Sequence, residues 1–372
     1  MLAWTIIALS AAWVVFAYAG YALVLAGLRR LSPRPIRAGD EFPPASLIIA
    51  VHQGEREIAA KLENSLALDY PGPLQIVVAA DACSDRTEEI VRAFADRGVE
   101  WVSNPERRGK EAAQALGIGR ATGEILVFSD VGALLAPDAV RNIVRPFADP
   151  TVGAVSSEDA VDSDGGEGAY VRLEMALRRM ESETGSLVGL SGSFFAVRRE
   201  LGDPWQPDLA SDFRSALEAG RRGLRAVSEP TAQARFKASE DAAREWSRKV
   251  RTVRRGIAVL VAYRDLLHPR HGRRALALWG HKVARFTAPF ALVALLAASA
   301  WLAPTDPPAA VLLVVQLAAY ALAAAALVAR PLQRWLVPRI AAFFLLVNAS
   351  MLVAWFYHLS GQRAVTWTPT RR

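Results

Sequence analysis

The side chains of this 372-residue chain best suited to chemistry are three aspartates and a group of cations, each set against an element boundary. Asp81 follows an apolar run at 74–79, Asp130 follows another at 125–128, and Asp212 stands at the start of a helical stretch at 211–222. A carboxylate just past a strand end can accept N–H groups from a nucleobase. The Asp-x-x-Ser-Asp stretch from Asp81 to Asp85 is equally good turn and helix-cap chemistry. Asp130 can cap a helix ahead of Pro137 and Asp212 can act as an N-cap, so a structural reading stands beside the chemical one at each position. Lys110 opens a helical stretch, where a cation opposes the helix dipole unless an anion lies nearby. The basic helix at 246–255 carries Arg248, Lys249, Arg251, Arg254 and Arg255. Arginines here can pair bidentately with phosphate oxygens, and the basic face, with Arg248 and Lys249, can instead rest on anionic lipid heads.

Positioning such residues takes an alternation of strands and helices, and residues 45–130 read that way. Strands are expected at 47–51, 74–79, 99–102 and 125–128, and helices at 55–68, 86–97 and 110–121. This order predicts an α/β fold with a parallel, doubly wound sheet covered on both faces. Ligands bind such sheets outside the carboxyl ends of the strands, where Asp81 and Asp130 fall. From 151 to 256 the pattern is less regular, with a helix at 170–183 after Gly165-Gly166-Glu167-Gly168, a strand at 193–197 and the helices that hold Asp212 and the arginines.

The flanks are of another kind. Nothing is charged from residue 4 to 28, long enough to cross about 30 Å of hydrocarbon, and Arg29 and Arg30 follow at once. No Lys or Arg precedes the run, so it reads as a retained anchor with its basic end in the cytoplasm. Further apolar runs at 286–303, 309–329 and 340–359 are separated by Pro304-Thr305-Asp306-Pro307-Pro308 and by a basic link with Arg330, Arg334 and Arg339. The expected division is an N-terminal transmembrane anchor (1–30), a cytoplasmic α/β domain (45–256), an apolar segment along the membrane surface (257–282), C-terminal transmembrane helices (283–360) and a basic tail (361–372). Four spans place Arg363, Arg371 and Arg372 outside, against the charge rule. A net charge of +7 with 52% hydrophobic residues excludes both an ordinary soluble domain and an all-membrane chain. Cys83 is the single cysteine, so no intrachain disulfide forms. The basic surplus lies near the membrane runs without an aromatic-basic recognition motif, which points to membrane lipids and away from nucleic acid.

Taken together, 46–64, 81–87, 104–110, 123–130 and 248–256 resemble the family 2 glycosyltransferases, in particular membrane-bound bacterial members related to cellulose, chitin and hyaluronan synthases. The resemblance implies a GT-A domain, a nucleotide sugar donor of UDP type, and inversion at the anomeric carbon. It implies that Asp81 accepts from the base, and that His52, Glu55, Asp85, Lys110 and Arg255 lie around the nucleotide. Asp130 begins the family's D-x-D motif, whose carboxylates hold Mg²⁺ or Mn²⁺ against the donor diphosphate; here Gly132 replaces the second aspartate. Asp212 matches the general base, and Arg251 and Arg254, in the position of Q-x-x-R-W, face the departing diphosphate. Arg255 stands for the Trp of that motif and Ser191 for the Asp of Gly-Ala-Asp-Gly. The expected protein is an inner-membrane glycosyltransferase with a lipid-linked or glycan acceptor. The altered motifs leave open a catalytically silent nucleotide-sugar-binding subunit of an envelope polysaccharide complex.

Overall fold

Seven consecutive buried residues, Ala45–Val51, form the first strand, the pattern of a strand covered on both faces in a parallel sheet. Alternate side chains take opposite sides: Leu47, Ile49 and Val51 join one core, and Ile48 joins another. The computed structural model describes residues 1–160, 166–235 and 242–362, with the side chains of 159, 160, 166–172, 242–245 and 330 outside the description. Gly165 and the basic tail from 363 onward, with Arg363, Arg371 and Arg372, lie outside the described residues.

In chain order, α1 (Leu2–Leu31) precedes β1 (Ala45–Val51), α2 (Ile58–Leu66), β2 (Leu74–Asp81), α3 (Thr87–Arg92) and β3 (Val99–Asn104). Next come α4 (Lys110–Arg120), β4 (Ile125–Asp130), β5 (Leu134–Leu135), α5 (Ala139–Val144), β6 (Val152–Ala160) and α6 (Gly166–Thr184). They are followed by β7 (Phe194–Arg198), α7 (Ser211–Arg221), β8 (Arg225–Arg235) and α8 (Ala242–Ala262). The chain then runs through α9 (Arg273–Leu302), α10 (Pro307–Val328) and α11 (Leu336–Leu359).

The strands form one sheet in the order β3-β2-β1-β4-β7-β6-β8-β5. The first four are mutually parallel, and β7 runs antiparallel to both β4 and β6, so the sheet is mixed, in keeping with a doubly wound, mostly parallel sheet. The chain steps outward from β1 to β3 and then returns to β1's other side as β4. That reversal leaves a crevice at the carboxyl ends of β1 and β4. Helices α2, α3 and α5 bury Ile58, Leu62, Val91 and Ile143 on one face of the sheet, while α4 and α7 bury Ala113 and Ala216 on the other.

Helices α1, α9, α10 and α11 are each long and apolar enough to cross a membrane. Helix α1 and α9 are antiparallel and tied at both ends, by Trp4 Nε1 donating to Asp306 Oδ2 at 2.8 Å and by Arg273 donating to the Ser32 carbonyl at 2.9 Å. Asp306 caps α10 by accepting from the Ala309 amide, with Pro307 and Pro308 at the first helical positions. Each of α1 and α9 contains one π turn, at Phe16–Gly20 and Leu278–Val283.

The segment from Ile257 onward does not form a separate surface element. Helix α8 continues through Gly256 to Ala262, and Ile257, Val259, Leu260, Tyr263 and Leu266 pack with Phe213 and Leu217 of α7, Leu278 and Phe286 of α9, and Met351 and Ala354 of α11. Of the apolar residues that suggested a lipid-facing strip, these are buried against protein, while Val261 and Trp279 remain exposed.

Candidate active site

Strand β4 ends at Asp130, and the chain turns there: Ala133 N–H donates to the Asp130 carbonyl at 3.1 Å and the Asp130 N–H to the Ser193 carbonyl at 2.9 Å. Beneath this turn lies Lys61, a fully buried lysine that the sequence reading missed. Its ammonium donates to Ser129 Oγ at 2.7 Å and to the Ala133 carbonyl at 2.5 Å. Burial pulls its pKa down to about 7, against the nearby Asp130 charge, which favours the cation.

Lys110, at the first turn of α4, bridges two walls of the crevice. Its Nζ lies 2.5 Å from Asp130 Oδ1 and 2.7 Å from the Gly192 carbonyl. The anion that a lysine at a helix start calls for is therefore Asp130. On the far side of Gly192 stands Asp212, in the first turn of α7; a Cβ on Gly192 would lie 3.2 Å from Asp212 Oδ2. Asp130, Lys110 and Asp212 thus converge at one place, at the crevice end of β4.

Glu111, also missed, sits beside Lys110 and is 3% exposed; Arg255 of α8 closes on its carboxylate. Burial alone would lower the Arg255 pKa, but Glu111, with Asp212 and Asp130 behind it, raises it. Arg251, one turn earlier on the same face, is depressed by burial first and then by repulsion from Arg255 and Arg248. Arg254 is turned away, its guanidinium 5.5 Å from the Tyr357 ring of α11.

The remaining expected residues brace the loops. Asp81 is fully buried, and its two oxygens accept the Arg108 and Gly109 amides at 2.7 and 2.8 Å. These bonds hold the loop before α4, where Gly109 has φ +99°. His52 Nδ1 lies 2.6 Å from the Asp81 carbonyl, tying the ends of β1 and β2. Asp85 Oδ2 accepts the Glu55 amide at 3.1 Å, and Asp85 Oδ1 takes the Thr87 amide and hydroxyl. Burial would raise the Asp85 pKa, but these bonds outweigh it and hold the carboxyl below its ordinary value. Glu55 Oε2 accepts the Arg86 amide at 3.4 Å. Just past β1 and β2, Gln53 and Ala82 hold φ of 53° and 51°, a region costly for residues with a Cβ and often found at functional sites.

Among the described residues no group of three or more His, Cys, Asp or Glu could hold a metal ion. A Cβ on Gly132 would meet nothing within 4 Å, so open space lies where a second carboxylate would stand. One carboxylate with room beside it fits a hard cation that completes its shell with phosphate oxygens and water. A cavity of about 1260 Å³ lined by Phe42, Ile118, Phe147 and Trp205 opens at the other edge of the parallel strands, and none of the acids above lines it.

A switch-point crevice with an acidic strand end, a mixed sheet and helices on both faces defines a GT-A glycosyltransferase domain. Residues 46–203 match the family model "Glycosyl transferase family 2". That segment is similar to family 2 glycosyltransferase domains. It is similar to the mannosyltransferase of Pyrobaculum calidifontis solved with GDP-Man and Mn²⁺, with a TM-score of 0.74 and 26% identity, over 96% of this chain and all of that one. It is 26% identical over 223 residues to the beta-monoglucosyldiacylglycerol synthase of Synechocystis, covering 54% of this chain and 46% of that protein. It is 25% identical over 244 residues to the poly-beta-1,6-N-acetyl-D-glucosamine synthase of Staphylococcus aureus, covering 62% and 59%. The chain thus spans about half the length of these curated relatives.

Proposed function

We propose that the chain transfers a sugar from a nucleoside diphosphate sugar, of UDP type, to a hydroxyl presented at the cytoplasmic face of the inner membrane by a lipid-linked or glycan acceptor. The observation that supports this best is the meeting of Asp130, Lys110 and Asp212 beside the Gly192 carbonyl. In this reading the Asp212 carboxylate takes the acceptor's hydroxyl proton as that oxygen bonds to the anomeric carbon. The bond from that carbon to the diphosphate oxygen breaks, and the nucleoside diphosphate leaves with the electron pair. Attack from the side opposite the diphosphate inverts the centre. Lys110 and Arg255, with Arg251 behind, offset the charge growing on the leaving group.

Asp130 would hold Mg²⁺ or Mn²⁺, which when bound supplies further neutralisation of the diphosphate. Arg254 reads as a packing residue against α11. Asp81, Asp85, His52 and Glu55 shape the loops that bound the nucleotide, and their part in holding it is indirect. This reading is preferred to a silent binding subunit because the acid on the acceptor side and the cation on the donor side remain in place together.

The test is nucleoside diphosphate release by purified protein with Mn²⁺ and a panel of UDP- and GDP-sugars. Asp212→Asn is expected to lower kcat by ~10²–10⁴-fold with nucleotide affinity unchanged. Normal turnover by that variant would remove Asp212 as the base, and nucleotide binding without release across all donors and acceptors would favour the silent reading.

A further inference from the structure

The loop Gly189-Leu190-Ser191-Gly192 runs from the Asp212 corner to the foot of α9, where a second group of charges is buried. His281 faces Glu181 at 2.7 Å and Glu174 at 2.6 Å with its two ring nitrogens. Arg285 donates to Glu174 at 2.6 Å and Tyr21 of α1 to Glu181 at 2.6 Å. Both Glu174 oxygens are therefore engaged, while Glu181 is engaged through Oε1 and its Oε2 is buried without a hydrogen-bond partner among the described residues.

Two further cations reach the same place without an ion pair among the described residues. Arg178, 6% exposed, donates to Ser156 Oγ at 2.6 Å and to the Gly189 carbonyl at 3.2 Å, and its Nε is buried with no partner. The Lys282 ammonium lies 5.2 Å from the centre of the Phe213 ring. Leaving His281 aside, three cations (Arg178, Lys282, Arg285) face two carboxylates (Glu174, Glu181) among the described residues, one positive charge in excess, with Arg178, Arg285 and Glu181 buried and Lys282 and Glu174 half-buried. An unbalanced charge there is costly unless an anion joins it.

Geometry gives the anion a seat. Gly189 has no side chain, and a Cβ there would come within 3.7 Å of Lys282 Nζ and 4.0 Å of Phe213. Lys282 stands in the π turn Leu278–Val283, at the junction of α9 with the domain, and π turns of this kind recur at functional sites. The loop's other end holds Gly192 against Asp212, and three residues reach at most about 10 Å.

We infer that Lys282 and Arg178, over Gly189, receive the phosphate of a membrane lipid that serves as the acceptor. The accepting hydroxyl stands one glycerol or sugar unit away from that phosphate, beside Asp212. The inference rests on the transferase reading above and names its acceptor class. A lipid phosphate is favoured over a soluble one because the seat is walled by α9, by Phe213 of α7 and by the charges that tie α1 to α6.

The test is native mass spectrometry of the full chain in detergent with phosphatidylglycerol, with diacylglycerol of the same acyl chains and with glycerol phosphate, alongside calorimetric titration with UDP and GDP. Phosphatidylglycerol is expected to bind at least 10-fold more tightly than either alternative. Lys282→Gln should remove that preference, Lys282→Arg should keep it, and nucleotide affinity should be the same in all three proteins. Equal retention of the neutral lipid, equal binding of glycerol phosphate, or an unchanged preference in Lys282→Gln with nucleotide binding intact would each overturn the proposal. Loss of nucleotide binding in the unmodified protein would instead strike the transferase reading.

Discussion

Lys61 is the residue with the clearest pH signature. Its folded-state pKa of about 7 lies below the ordinary lysine value, so unfolding takes up a proton between roughly pH 7 and 10.5. Its burial therefore destabilises the fold at neutral pH, and stability gains up to about 1.4 kcal/mol per unit as pH rises through that window. Lys61→Met should flatten this slope in denaturant titrations at pH 7, 8 and 9, while releasing the Ser129–Ala133 turn and weakening nucleotide binding. Asp81 is open to a different measurement. With both oxygens on main-chain amides, Asp81→Asn leaves one buried N–H without its acceptor and should cost about 1–3 kcal/mol of stability. Full thermal stability with a large loss of nucleotide affinity would return Asp81 to the base-binding role.

At the scale of elements, Gly280 sets how closely α1 and α9 approach. A Cβ there would stand 2.0 Å from the Tyr21 ring, so Gly280→Ala must push α1 from α9 and is expected to lower the unfolding temperature in detergent by several degrees. Strands β1, β2 and β4 were legible in the sequence because their buried stretches are apolar runs, and the edge strand β3 because of the short run at 99–102. Strands β6 and β8 were not, because they bury Ser156, Ser157, Glu158, Arg225 and Ser228 in hydrogen bonds that no hydropathy pattern reveals. Of the site, Asp130, Lys110 and Asp212 could be read from strand ends and helix starts. Lys61 and Glu111 could not, since a lysine or glutamate within a helix looks like a solvated face until its neighbours are known. The cations of α9 did leave a signal, as His281, Lys282 and Arg285 immediately precede an apolar run.

At the scale of the whole molecule, the Trp4–Asp306 and Ser32–Arg273 bonds put the start of α1 and the α9–α10 turn on one side and the domain on the other. In the proposed orientation, which puts Arg29 and Arg30 in the cytoplasm, a cysteine placed at Thr305 in a Cys83→Ser background should react with an impermeant maleimide on intact cells. One placed at the domain surface, at Arg97, should react only after lysis. The reverse labelling would turn the molecule over and put the donor on the wrong side for cytoplasmic nucleotide sugars.

Helix α8 joins these scales. Arg255 grips Glu111 beside the candidate site, and Ile257, two residues on and ~3 Å further along the axis, is packed among helices long and apolar enough to cross a membrane. No hinge separates the two ends of this lever, so a shift in how α11 leans moves the guanidinium as well. Turnover in vesicles of graded acyl length should therefore peak at one thickness, whereas an enzyme merely tethered to its bilayer would be indifferent to it.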